Sequence, residues 1–263
     1  MECELNRYII VCESRTGSTM LSTALQTHNE VCAHGEVLQP RQFRKETQDD
    51  KLEFYGVNYK DDPATNMRDY FREKLIESPL DYVKEFVFYQ GRFKSVGFKF
   101  KYEELSDPLF KEVTDYVASE KDIKIIHLQR KNLWERYRSG FIARYITKQY
   151  NSTDKQLVVD TNKKFELDIK KIQEDFDQTN DWVNYYSELF SSHKVINFTY
   201  EEFNENAQKC FDSVCDLLKI SKFEWKPRTK KIQQISDNDL FENMDEVREY
   251  FAKTNYSKFF MNN

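Results

Sequence analysis

Apolar residues along this chain fall into short, strand-length runs separated by stretches with helical spacing. Tyr8 to Cys12 is a run rich in β-branched residues, the length of a buried strand. A polar turn, Ser14 to Gly17, follows; Met20, Leu21, Ala24 and Leu25 then recur at helical spacing behind small hydroxyl residues. Val31 to Ala33 predicts a second short strand, beside the first in a parallel sheet, ending in His34-Gly35-Glu36. Residues 39 to 64 are polar and weakly periodic, with Pro40 and Pro63, and read as a long loop of the kind used for binding. Helices are predicted over 66–77 and from Ser78-Pro79 onward, where Ser can cap and Pro can take the first position.

Val96 to Tyr102 alternates as a strand. Asp122 to Gln129 predicts a central strand leading into a helix that continues to about Tyr150. After the polar stretch 151–163, Phe165 to Phe190 predicts a long amphipathic helix with Ile169, Ile172, Phe176, Val183, Tyr186 and Phe190 near one face. Lys194 to Tyr200 is a further strand, and a helix lies around Cys210 to Leu218. Strands alternating with helices predict an α/β fold in three layers, a parallel sheet of about five strands covered on both faces. With no repeat and no low-complexity linker, residues 1–263 read as one domain, with 39–94 and 141–164 as insertions.

Composition narrows the partners. The chain has 263 residues and a net charge of −5, which argues against a broad nucleic-acid surface. Apolar runs of strand length leave no membrane-spanning candidate. The acidic start, Met1-Glu2-Cys3-Glu4, leads directly into the first strand and leaves no room for a signal peptide. Five cysteines without a C-x-x-C pair argue against a disulfide framework, so the expectation is a soluble cytoplasmic protein.

The chemistry is expected at Ser14-Arg15-Thr16-Gly17-Ser18-Thr19. A strand, a Gly-containing turn and a helix start converge unpaired amides and the positive end of the helix dipole on one point, which suits an oxyanion. An ordinary βα turn with a hydroxyl cap is the plainer alternative. A Walker loop is excluded, because no Gly lies five residues before Gly17 and Ser18 stands at the Lys position. The segment resembles the 5′-phosphosulfate loop of sulfotransferases, roughly P-[KR]-[ST]-G-[ST]-T, with Ser14 where many members have Pro.

That resemblance implies further roles. The donor cosubstrate is expected to be 3′-phosphoadenosine-5′-phosphosulfate, held by Arg15, Thr16, Gly17, Ser18 and Thr19. In the family an Arg at a strand end and a Ser about eight residues later hold the 3′-phosphate. Here the Ser is Ser139, with Arg130 nine positions before it or Lys131 eight. Lys99, in Val96-Gly97-Phe98-Lys99, resembles the strand Lys that contacts the sulfuryl group. Val195 to Phe203 resembles the late strand followed by Y-E-[DE]-[LF]. Lys230 and Lys231 fall where many members place basic residues on the 3′-phosphate.

The acceptor hydroxyl needs a base, and charge developing on the leaving group needs cations and amides aimed at it. Glu36 matches the carboxylate that bacterial carbohydrate sulfotransferases of the trehalose-modifying type use as base; His34 is its rival. The plainer readings are a solvated loop carboxylate or an Arg15 partner for Glu36, and a structural histidine for His34. His127 reads as a core residue, His28 and His193 as loop positions, and no ligand cluster suggests a metal. The expected function is sulfuryl transfer to a hydroxyl of a carbohydrate or small metabolite. The alternatives are a nucleotide-dependent kinase with a degenerate loop and a catalytically silent nucleotide-binding or interaction protein.

Overall fold

In the computed structural model of the protein, the strand run at the N-terminus sorts its residues by alternation. Tyr8, Ile10 and Cys12 pack on one face of a sheet with Leu21, Leu25, Phe211 and Leu218. Ile9 and Val11 pack on the other with Phe98, Phe100, Val113, Tyr186 and Phe190. Residues 6–38, 67–89, 91–147, 163–225 and 235–261 are described, the side chains of 67–71 excepted.

The strands are β1 (Asn6–Cys12), β2 (Val31–Ala33), β3 (Ser95–Lys101), β4 (Lys124–Gln129) and β5 (Val195–Thr199). They form one sheet in the order β2-β3-β1-β4-β5, every pair parallel. Parallel neighbours require crossovers, and helices supply them on both faces. The helices are α1 (Ser18–Leu25), α2 (Met67–Glu77), α3 (Pro79–Asp81), α4 (Tyr102–Leu105), α5 (Lys111–Ser119), α6 (Leu133–Phe141), α7 (Ile169–Leu189), α8 (Tyr200–Glu205), α9 (Ala207–Leu218), α10 (Asp237–Leu240) and α11 (Met244–Phe251). This is the three-layer α/β architecture that the alternation predicts. Among the described residues no helix is long and apolar enough to cross a membrane.

Three local expectations are corrected. β2 is not beside β1, because β3 lies between them and pairs with both. The long helix begins at Ile169 rather than Phe165, because the backbone of Phe165 is bonded to Leu240 and Glu242 and Asp168 caps the helix through Lys171 N–H. The helix after β4 changes to a π-helical turn at Ile142–Ile146. The predicted cap at Ser78 is present, its side chain accepting from Asp81 N–H ahead of Pro79. The 39–64 and 151–163 stretches lie outside the described residues apart from Lys163.

A third apolar cluster ties the C-terminal segment to α6 and α7. Trp134 and Ile142 pack with Ile172, Phe176, Leu240, Val247 and Phe251. Asp237 anchors it by accepting from Trp134 Nε1 at 2.9 Å and from Arg138 Nε at 2.5 Å. These contacts hold α6 in place behind the loop that leaves β1.

Candidate active site

The loop after β1 is bent by two residues with left-handed backbone, Arg15 at φ 68° and Gly17 at φ 83°. For Arg15 this conformation is sterically disfavoured, and such outliers cluster at ligand sites. Gly17 is required twice, since a Cβ there would also lie 3.0 Å from the Tyr200 ring. α1 starts at Ser18 without a side-chain cap and without an acidic residue in its first turn. Its first amides therefore point outward with the positive dipole end, ready for an anion. Thr16 and Ser18 are buried and Thr19 is half-buried. The Thr16 hydroxyl donates to Glu13 O at 2.8 Å, which fixes the loop to the end of the strand.

The segment after β4 is brought against this loop. Arg15 Nε donates to Ser139 Oγ at 3.0 Å, and Arg130 Nη1 donates to Arg15 O at 3.3 Å. Arg130 also stacks 4.4 Å from the centre of the Tyr200 ring and lies 3.5 Å from Glu135. Burial lowers its pKa, with Tyr200 and Glu135 opposing, and a guanidinium stays charged throughout. Lys131 differs: its side chain is 66% exposed and its ammonium lies 3.9 Å from Glu202. The amides of Lys131 and Asn132 donate to the Glu201 carboxylate, both at 3.1 Å.

Glu36, half-buried, and Lys99, buried, form an ion pair. The backbone explains the meeting: pairing between β2 and β3 runs on past Ala33, with His34 N–H on Gly97 O at 2.7 Å and Lys99 N–H on Gly35 O at 3.1 Å. Glu36 thus reaches Lys99 although β2 is an edge strand. Lys101 Nζ lies 3.6 Å from Glu36 and 3.9 Å from Glu104. Burial would lower the Lys101 pKa, but Glu104, Glu36 and Glu103 together outweigh burial and raise it. Burial raises the Glu104 carboxyl to about 7, against the pull of Lys101. Near β1, burial pushes the Cys12 thiol up to about 11, with Lys99 and Ser18 pulling it down.

His34 is 1% exposed and its Nε2 lies 3.3 Å from Cys32 Sγ, a position inside the sheet edge. His127 is buried, its Nε2 2.5 Å from the Tyr102 hydroxyl, and burial lowers its pKa to about 4. His28 and His193 are also buried, each held by backbone carbonyls. Lys230 and Lys231 lie outside the described residues. Loop and Ser139 segment, and Glu36 and Lys99, are therefore brought together as two neighbouring groups at the C-terminal ends of β1, β3 and β4. Sequence reading missed Glu13, Arg136 and the ring of Tyr200. The only local signal was a carboxylate directly after an apolar strand.

No family model matches the chain, and no curated protein matches it by sequence. By structure it is similar to the sulfotransferase domain of an olefin synthase from Synechococcus PCC 7002, at 14% identity and TM-score 0.50, covering 83% of this chain and 74% of that one. It is also similar to a sulfotransferase from Alicyclobacillus acidocaldarius, at 15% identity and TM-score 0.49, covering 94% and 91%. At these identities the likeness concerns fold alone, and the first match carries it. The chain has the sulfotransferase fold.

Proposed function

We propose that the protein is a sulfotransferase that moves the sulfuryl group of 3′-phosphoadenosine-5′-phosphosulfate to a hydroxyl of a carbohydrate or small metabolite. The observation that supports this best is the junction of Arg15 with Ser139 and Arg130. One strand–loop–helix anion site suits many nucleotides. A second cation-and-hydroxyl pair held against it suits a donor with anionic groups on both the 5′ and 3′ sides of its ribose.

In this reading Arg15 and the Thr16 to Thr19 segment hold the 5′-phosphosulfate. Arg130 and Ser139 hold the 3′-phosphate, with Lys230 and Lys231 adding charge. Arg130 is preferred to Lys131 because it is buried against the loop, while Lys131 is exposed. The donor supplies a sulfuryl group on a stable bisphosphate leaving group. Glu36 takes the acceptor proton as the new oxygen–sulfur bond forms and the bond to the bisphosphate breaks. Lys99 supplies charge to the transferring group, and Lys101 leaves a cation beside Glu36 when Lys99 is drawn toward it. Residues 39–94 and 141–164 shape the acceptor side of a single cytoplasmic domain.

Calorimetric titration with adenosine 3′,5′-bisphosphate, ADP and ATP, with and without Mg²⁺, tests the reading. The bisphosphate should bind at least about tenfold more tightly than either, because ADP and ATP leave the second site without its anion. Equal or tighter ATP binding would sink it.

A further inference from the structure

Lys99 and Lys101 stand two positions apart at the end of β3. Alternation puts both on one face, while Phe98 and Phe100 take the other. Both ammonium groups reach Glu36, yet they are held differently. Among the described residues, Lys99 is ion-paired with Glu36 alone. Lys101 is shared by three carboxylates, Glu103 at 2.5 Å, Glu36 at 3.6 Å and Glu104 at 3.9 Å.

The mooring of Lys101 extends into the backbone. Glu104 Oε2 accepts from Lys101 N–H at 2.9 Å, where β3 gives way to α4. Glu103 and Glu104 both lie in the first turn of that helix, so the chain confines the ammonium with its own next two acids. A lysine with one anionic partner is readily handed to another anion. One shared by three carboxylates stays where it is.

That difference matters once a sulfuryl group draws Lys99 away. Glu36 is half-buried, and a carboxylate that loses its cation in such a place tends to take up a proton. Protonated, it accepts none from the acceptor. A cation in full contact would instead hold the carboxylate ionised at the expense of its basicity. The 3.6 Å from Lys101 is beyond hydrogen-bond range, and Glu103 and Glu104 divide its charge, so its pull on Glu36 is intermediate. Neighbouring titratable groups supply no substitute. Cys12, opposite Lys101 in the β1–β3 register, is kept a neutral thiol by burial, and Glu13 after it is another acid. The Tyr102 hydroxyl is engaged with His127.

We propose that Lys101 is the positioning residue of Glu36: moored by Glu103 and Glu104, it keeps that carboxylate in place and ionised while Lys99 serves the transferring group. The second partner of Lys99 rests on the sulfuryl-transfer reading above. The hold of Lys101 on Glu36 needs no donor and is measured without one.

The test is a carboxyl ¹³C NMR titration of Glu36 in the full chain, its signal assigned through Glu36→Gln. Lys99→Met reproduces the moment at which Lys99 is elsewhere, and in it Glu36 should still be ionised at about pH 7. Adding Lys101→Met should raise the Glu36 midpoint by about one pH unit or more, the scale for losing a nearby cation. Lys99→Met with Lys101→Arg should titrate like Lys99→Met, because Glu36 requires the charge and not the packing of the stem. Thermal melts check that each variant folds; if the double Met variant does not, Lys101→Met alone should give a smaller shift of the same sign against the parent. A midpoint unmoved by loss of Lys101, a rise that Arg does not restore, or a Glu36 already protonated in Lys99→Met overturns the proposal and leaves Lys101 a structural lysine. The sulfuryl-transfer reading fails separately, by absence of adenosine 3′,5′-bisphosphate binding, and the Glu36 titration then still decides the role of Lys101.

Discussion

Arg15 Nε donates to Ser139 Oγ at 3.0 Å across 124 positions of sequence, joining the loop after β1 to the helix after β4. Each residue alone is an unremarkable polar group near a strand end. Joined, they bring the Arg15 guanidinium and the Ser139 hydroxyl to one surface, with Arg130 bonded to the same loop. Ser139→Ala removes the hydroxyl that orients Arg15, and bisphosphate affinity should fall about tenfold, the cost of one charge-assisted hydrogen bond. Arg15→Ala should go further and lower turnover roughly 10²–10³-fold at saturating donor. Unchanged turnover in Arg15→Ala removes that residue from the mechanism.

Glu36 stands in contact with Lys99 and near Lys101, so its replacement separates binding from chemistry. Glu36→Gln preserves shape but cannot take a proton. Transfer should drop roughly 10²–10⁴-fold while the bisphosphate still binds. His34→Asn is the control for the rival base. Because His34 is buried beside Cys32, its loss should lower thermal stability more than it lowers transfer. Loss of activity in His34→Asn with activity kept in Glu36→Gln would reverse the assignment.

The alternation of apolar runs and helical spacing carried the fold, because burial on both faces of a parallel sheet leaves a strong pattern. Tyr8 to Cys12 and Ile125 to Leu128 are such runs, and both are central strands. Strand order left no such trace. Val31 to Ala33 reads as a strand in isolation, yet nothing in three residues says that β3 will insert between it and β1. The start of α7 was misplaced for a similar reason: Phe165 is apolar and in phase, but its backbone is bonded to the chain around Phe241. At the candidate site, the strand–turn–helix geometry of the local motif is legible: the turn bends at Arg15 and Gly17 and α1 starts at Ser18. Glu13 and Arg136 meet only through tertiary packing, and no spacing announces them.

Gly17 supplies a direct check on the loop geometry. At φ 83° any L-residue is strained, and a Cβ would press on Tyr200 at 3.0 Å. Gly17→Ala should cost about 1–2 kcal/mol of stability from the left-handed backbone, readable in urea unfolding. Donor binding should suffer more than stability, since the same bend presents the first amides of α1. A variant with unaltered stability and affinity would mean that the loop adopts another conformation in solution.

Glu104 and His127 make opposite demands on pH, and separating them tests the buried charge network beside Lys101. Glu104 is 3% exposed, its Oε2 accepts from Lys101 N–H at 2.9 Å, and burial raises its pKa from 4.5 to about 7. In the unfolded chain the carboxyl releases its proton near its ordinary value; in the folded protein it keeps it until about pH 7. The folded state therefore holds more protons across that window, and this group's contribution to stability falls as pH rises from about 4.5 to 7. His127 acts the other way. Its folded pKa is lowered from 6.5 to about 4, so the unfolded state binds the extra proton and stability rises with pH across that range. In the wild type the two slopes oppose each other where the windows overlap. Glu104→Gln keeps an acceptor for Lys101 N–H but removes the titration. Urea unfolding at pH 5, 6, 7 and 8 should show the variant gaining on the wild type as pH rises, by a total on the order of 3 kcal/mol, and levelling above about pH 7. The His127 contribution is common to both proteins and drops out of the difference. A difference independent of pH would mean that Glu104 is ionised across the whole range, with Lys101 outweighing burial.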